Sequence, residues 1–321
     1  AMVIDEGQLR DVTAEQVCFD SGSDAVQALS GGSIDAFVGA GEHVIRNRIK
    51  DLDVKGYAVT SQVPPYSLVT PSNSDIRTVA DLAGKSVAVT APGSLSDTEL
   101  QRAAADAGID YAGLRVVGSG TGATKQATIE KGGAAAGMVT DPLLTTMVSS
   151  GRFRVVWRPD FDYVALAVMA RESWAAENRD RLAAFVTGIE ATRTRVGADP
   201  AAALQVAQKQ APGLSTDILE KVLTTTVAQA PQGLVINDAV YADTVALLEK
   251  VGQIDPGTAP PFADAFGIFL AELQPPLDQG RRERHHRGRQ LAVHAQRHRE
   301  RASQALPPAA RPLHRRVGSL R

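Results

Sequence analysis

The 321-residue chain is 44% hydrophobic and 22% charged, enough apolar material for two ordinary domains, and its net charge of −2 averages two unlike parts. Residues 279–321 hold 12 Arg, no Lys and two acids, a charge of +10, which leaves −12 on residues 1–278. No apolar run approaches the roughly 18 residues of a membrane helix, and a single cysteine, Cys18, excludes a disulfide framework or a thiolate metal cluster.

The elements alternate along the chain. Residues 16–19 read as a strand that buries Cys18 as a small hydrophobe. A small polar loop, Ser21-Gly22-Ser23, then opens a helix at 24–29. A strand at 34–38 runs through Gly39-Ala40-Gly41 into a helix at 42–49. Strands follow at 54–61 and 66–69, separated by Pro64-Pro65. The next units are strand 86–90, helix 95–107, strand 114–117, helix 121–131, strand 135–139, helix 142–149 and strand 153–157. Such alternation predicts α/β units on a parallel sheet. A last strand at 163–170 precedes a helical region. There Leu182, Phe185, Val186 and Ile189 share one face. Asp199-Pro200, Ser215-Thr216-Asp217 and Asn237-Asp238 start further helices, and 262–273 is the last, stopped by Pro275-Pro276.

This order predicts two lobes. The first comprises 1–69 plus 164–278 and the second 70–163, with the chain crossing twice between them. Residues 279–321 lack hydrophobic periodicity and are expected to form a disordered basic tail. Arginine without lysine there fits a GC-rich gene translated in a shifted frame. The alternative, a nucleic-acid or anionic-surface arm, lacks the interleaved aromatics that stack on bases. No nucleic-acid partner is expected.

The chemistry is sparse. Gly118-Ser119-Gly120-Thr121-Gly122-Ala123 resembles a dinucleotide loop, but no acidic residue closes a following strand at the required distance. Gly84-Lys85-Ser86 lacks the first glycine of a phosphate loop. His43 is the one histidine before residue 279, no Gly-x-Ser-x-Gly elbow exists, and scattered carboxylates with one histidine make no metal site. No catalytic residue, cofactor or metal is assigned. What recurs is a strand ending in a small polar loop at a helix N-terminus: at 21–23, 39–41, 91–96 and 118–123. Each offers free amides and the positive end of a helix dipole. A single such serine is ordinarily a cap, but four loops spread over two lobes point to a ligand cleft. No arginine falls on these loops, since Arg46, Arg48 and Arg77 all lie off them. Tyr66 and Trp157 suit either ring stacking or the core.

The ordered motifs resemble one family. They are Asp5-Glu6-Gly7-Gln8-Leu9-Arg10-Asp11-Val12, Ser21-Gly22-Ser23-Asp24-Ala25-Val26-Gln27-Ala28-Leu29 and Gly32-Ser33-Ile34-Asp35-Ala36. Next come residues 76–82 with Ala83-Gly84-Lys85-Ser86-Val87-Ala88-Val89, then Pro92-Gly93-Ser94, 134–142 and 168–174. Over residues 3–273 the chain resembles solute-binding proteins of ABC importers, in the branch of nitrate, alkanesulfonate, taurine and thiamine-precursor binders. The resemblance implies an α/β, two-lobed type II periplasmic binding protein fold. Each lobe would be a central sheet flanked by helices, with the ligand trapped between lobes by hinge closure. It implies ligand contacts at Ser21, Gly22 and Ser23, with Gly39, Gly41 and Glu42 beside them. Gly93, Ser94 and Ser96 would hold a polar or anionic group from the second lobe, and Thr121, Thr140 and Asp141 would complete the wall. The implied protein is a monomeric, non-enzymatic receptor, periplasmic or a cell-surface lipoprotein, that delivers a small molecule to an ABC permease. It would touch the membrane only through that permease or a lipid anchor. The alternatives are an enzyme of thiamine-pyrimidine synthesis on the same fold, or a ligand-sensing module. Against the family pattern, the signal segment and first strand are not found before residue 12. An open sheet position, an incomplete site, reduced stability and weak or absent binding are therefore expected.

Overall fold

The computed structural model describes residues 12–229, 234–235 and 238–267. The expectations for the first residues, for the second half of the 262–273 helix and for the tail lie outside them. The described residues belong to one compact unit, Ala1–Leu273.

Helix α1 (Gly22–Ser30) starts two residues before the predicted 24–29, taking Gly22 and Ser23 out of the loop. Ser21 is extended, and its Oγ accepts the Asp24 amide at 3.2 Å. The chain continues through β1 (Ala36–Gly39), α2 (Glu42–Ile49), β2 (Lys55–Ser61) and β3 (Ser67–Pro71). The alternating part follows: β4 (Ser86–Val89), α3 (Leu95–Asp106), β5 (Arg115–Gly118), α4 (Gly122–Glu130), β6 (Ala136–Val139), α5 (Leu143–Ser149) and β7 (Phe153–Trp157). After β8 (Leu166–Ala170) come α6 (Glu172–Glu177), α7 (Arg179–Ala198), α8 (Pro200–Gln210), α9 (Thr216–Gln229), α10 (Asp238–Lys250) and a short α11 (Phe262–Ala265). Asp199 caps α8 by accepting the Ala202 amide at 3.0 Å, with Pro200 in the first turn.

Two sheets result, one of three strands in the order β1-β8-β2 and one of five in the order β5-β4-β6-β3-β7. The expected parallel pairing holds only for β4 with β5 and β6. β8 runs antiparallel to both of its neighbours, and β3 to both of its own. The reason is connectivity. β3 and β8 are the strands by which the chain passes from one sheet to the other, so each enters its sheet against the direction set by the βα units. The central β6 is buried throughout, as a strand covered on both faces must be.

The predicted strand at 16–19 does not pair: residues 12–19 carry no sheet hydrogen bonds, and Cys18 is exposed. Its apolar run had the right composition, but no edge takes it up. The last helix also differs. It ends at Ala265, and Phe266 instead bridges to Gly56 beside β2.

Each sheet has its own apolar layer. Leu29, Val44, Ile45, Val164 and Met169 anchor the first, and Leu68, Leu82, Val87, Leu100 and Met138 the second. A smaller cluster of Ala40, Leu95, Tyr163, Ala165 and Leu247 draws on elements of both.

Candidate functional site

The loop after β1 brings the chain to α2. Gly39 is buried beside the Phe37 ring. The Gly41 amide donates to the Val164 carbonyl at 3.1 Å, and a Cβ on Gly41 would stand 2.4 Å from Val164 Cγ1. Only glycine permits that approach between the loop and the returning chain. Glu42 follows at the start of α2, 0% exposed.

The loop after β4 is built on its own serines. Ser96 Oγ accepts the Thr90 amide at 2.8 Å and lies 2.9 Å from Ser94 Oγ, and the Gly93 amide donates to Asp97 Oδ2 at 2.8 Å. Ser94 and Ser96 are buried and engaged inside the loop. The Gly120 amide donates to the Thr90 carbonyl at 3.0 Å, so the loop after β5 lies alongside.

The start of α2 and the loop after β4 meet through a residue that sequence reasoning set aside. Arg46, one turn into α2, pairs with Glu42 and donates from Nη1 to the Gly93 carbonyl at 2.9 Å. Arg46 lies off the loops, as expected, yet its guanidinium reaches one of them from the helix. Thr98 Oγ1 on α3 donates to Glu42 Oε1 at 2.8 Å and accepts from Gln253 Nε2 at 3.0 Å. The Tyr163 hydroxyl donates to Glu42 Oε2. Glu42 therefore collects donors from α2, from α3 and from the returning chain. The sequence signal was the i, i+4 spacing of Glu42 and Arg46. Further along, Lys250 Nζ reaches Asp106 at 2.8 Å.

Ser21 serves as the α1 cap, and its Oγ also donates to Asp24 at 2.7 Å. Gly22 sits against His43, whose imidazole is 4% exposed. Burial first, then the Arg46 charge, push the His43 pKa down to about 3, so the ring is neutral.

A second group of polar side chains is buried behind the β4 loop. Lys125, 2% exposed, donates to Thr90 Oγ1 at 3.0 Å and to the Met138 carbonyl at 2.9 Å, and lies 5.3 Å from the Tyr66 ring centre. Burial lowers its pKa to about 8. Glu99 Oε2 accepts the Tyr66 amide at 3.1 Å, while its Oε1 is buried without a partner. Burial, helped by the Glu42 charge, raises the Glu99 pKa well above the ordinary range. Lys125 escaped notice because it shares the buried face of α4 with Ile129, four residues on, where an apolar residue is the expectation.

The remaining candidates fall apart from this centre. Thr121 is exposed at the start of α4. Asp141 Oδ1 accepts the Thr145 amide at 2.9 Å at the start of α5. It lines a groove of about 800 Å³ between α5 and α9, with Arg158, Asp217, Glu220 and Lys221 among its walls. Thr140 precedes it, half-buried, and its carbonyl accepts the Leu144 amide. Among the described residues no group of three His, Cys, Asp or Glu could hold a metal ion.

The architecture matches solved structures. A Bordetella bronchiseptica protein superposes with a TM-score of 0.72 at 20% identity, over 84% of this chain and 91% of that one. The alkanesulfonate-binding protein SsuA of Xanthomonas axonopodis pv. citri, bound to MOPS, gives 0.70 at 20% identity, over 83% and 93%. The periplasmic aliphatic sulphonate binding protein SsuA of Escherichia coli gives 0.63 at 19% identity, over 82% and 87%. At these identities the likeness is one of fold, that of periplasmic binding proteins. None of the curated proteins matches the chain. A family model described as NMT1/THI5 like matches residues 15–203. That stretch is more than half of the 321 residues, and the chain belongs to the NMT1/THI5-like family.

Proposed function

We propose that this protein is a non-enzymatic solute receptor that captures a small polar or anionic organic molecule and hands it to an ABC permease. It would work as a monomer outside the cytoplasmic membrane. Among the described residues, those up to 69 and from 164 would form one lobe around the three-stranded sheet and 70–163 the other, with β3 (Ser67–Pro71), at the crossing, already paired in the five-stranded sheet. Sulfonates are the first ligand class to test, because two solved structures of like fold are sulfonate-binding proteins.

The observation that carries the reading is the meeting of the loop at 39–42 with the loop at 93–98, at helix starts where backbone dipoles favour anions. Gly39, Gly41 and Glu42 belong to the first of these helix starts and Gly93, Ser94 and Ser96 to the second, while Ser21, Gly22 and Ser23 form the start of α1. Thr121, Thr140 and Asp141 would extend the wall. The side chains of Ser94, Ser96 and Glu42 already have protein partners, so in this arrangement they shape the loops, and amides are the groups left for a ligand.

The test is thermal unfolding and calorimetry with nitrate, short alkanesulfonates, MOPS, pyrimidines and aromatic carboxylates. A ligand-dependent rise in melting temperature without consumption of the ligand supports the receptor. Turnover of one compound, with no stabilisation by any, overturns it in favour of an enzyme.

A further inference from the structure

The first turn of α1 has hydrogen-bonding capacity left over. Ser21 caps the Asp24 amide through its side chain and the Ala25 amide through its carbonyl. The Gly22 and Ser23 amides and the Ser23 hydroxyl have no partner among the described residues. His43 Nε2 is buried and also without a partner. It lies 2.9 Å from the point where a Cβ on Gly22 would stand, so any other residue there would push the ring away from the start of α1. The ring lies tilted 42° to Phe37 at 6.2 Å between centres. A buried nitrogen with no partner is a cost to the fold, and a ligand atom can remove it.

We propose that His43 is a specificity-determining donor, its Nε2–H aimed at a sulfonate or carboxylate oxygen held by the Gly22 and Ser23 amides. The inference rests on the receptor reading above and deepens it. An oxyanion held at the positive end of α1 only accepts hydrogen bonds, so to contact it the neutral ring would carry its proton on Nε2. Burial keeps the ring neutral, so it would offer an oxyanion an uncharged donor.

The experiment is calorimetric titration of the full chain with MOPS, ethanesulfonate and acetate, with ¹⁵N spectra of histidine-labelled protein. His43→Phe keeps a ring and removes the donor, and it should weaken MOPS binding by about tenfold or more. His43→Gln restores a donor and should recover most of that loss. Gly22→Ala should weaken binding by displacing the ring. In the unsubstituted protein, MOPS should shift the His43 Nε2 resonance, a readout that stands even where a variant fails to fold. Binding that is equal in the unsubstituted protein and His43→Phe, or an unmoved Nε2 resonance at saturation, overturns this assignment and leaves the receptor reading intact. No binding of any of the three anions by the unsubstituted protein overturns this assignment too, and the receptor reading is then decided by the wider ligand panel above.

Discussion

Glu42 is the residue whose loss should be felt most widely. Its carboxylate is 0% exposed and takes hydrogen bonds from Arg46, Thr98 and Tyr163. Glu42→Ala leaves the guanidinium without a counter-charge and the buried Tyr163 hydroxyl without an acceptor. Removing one partner of a buried pair costs about 3–5 kcal/mol. At about 2–4 °C per kcal/mol for a protein of this size, the melting temperature should fall by about 6–20 °C. Urea unfolding of Glu42→Ala, Arg46→Met and the double variant gives the coupling directly. With Glu42 gone, Arg46 is a liability, so the double variant should be less destabilised than the two single effects combined, by about 1.5 kcal/mol or more. Thr98→Val, on the other sheet's helix, should couple to Glu42→Ala in the same way. A cost below about 1 kcal/mol for Glu42→Ala, or strict additivity, would refute the argument that this carboxylate gathers the two loops.

Three further outcomes are expected. Lys125 has a folded pKa of about 8 against an ordinary 10.5, so between those values the unfolded chain holds a proton that the folded one has lost. Stability should therefore rise with pH across that window, by about 3 kcal/mol if the whole shift is expressed. Lys125→Met should abolish the rise and be the more stable protein at pH 7, read by urea titrations at pH 7 and 10. The Glu99 pKa is raised by burial, so its contribution is lost as pH climbs from the ordinary carboxylate value toward the folded one. Glu99→Gln should then gain on the unsubstituted protein at pH 8 and converge with it at pH 4. Gly41→Ala drives a methyl to 2.6 Å from the Val164 carbonyl oxygen and should cost about 1–3 kcal/mol in the same assay.

Much of the fold was legible because local signals act locally. Ser21 and Asp199 cap where their side chains predict, and the βα order from β4 to β6 follows from hydrophobic runs broken by small polar loops. Strand direction at β3 and β8 was not legible, because it depends on which sheet receives the strand. Residues 16–19 failed for a related reason: pairing needs a free edge, which the run itself does not specify. At the site, the glycine and serine positions were readable as turn and cap chemistry. Arg46 was not, since its partner carbonyl at Gly93 stands 47 residues away. Lys125 lay hidden in a helical period that ordinarily marks core.

The small cluster of Ala40, Leu95, Tyr163, Ala165 and Leu247 has a consequence for how the molecule comes apart. Its members come from the loop between β1 and α2, from α10, from the start of α3 and from the chain between β7 and β8, so neither sheet can melt without exposing apolar surface that belongs partly to the other. Two independent domains would give two calorimetric transitions. Here the enthalpy measured by calorimetry and that inferred from the steepness of a single transition should agree, and the two sheets should be lost at one temperature.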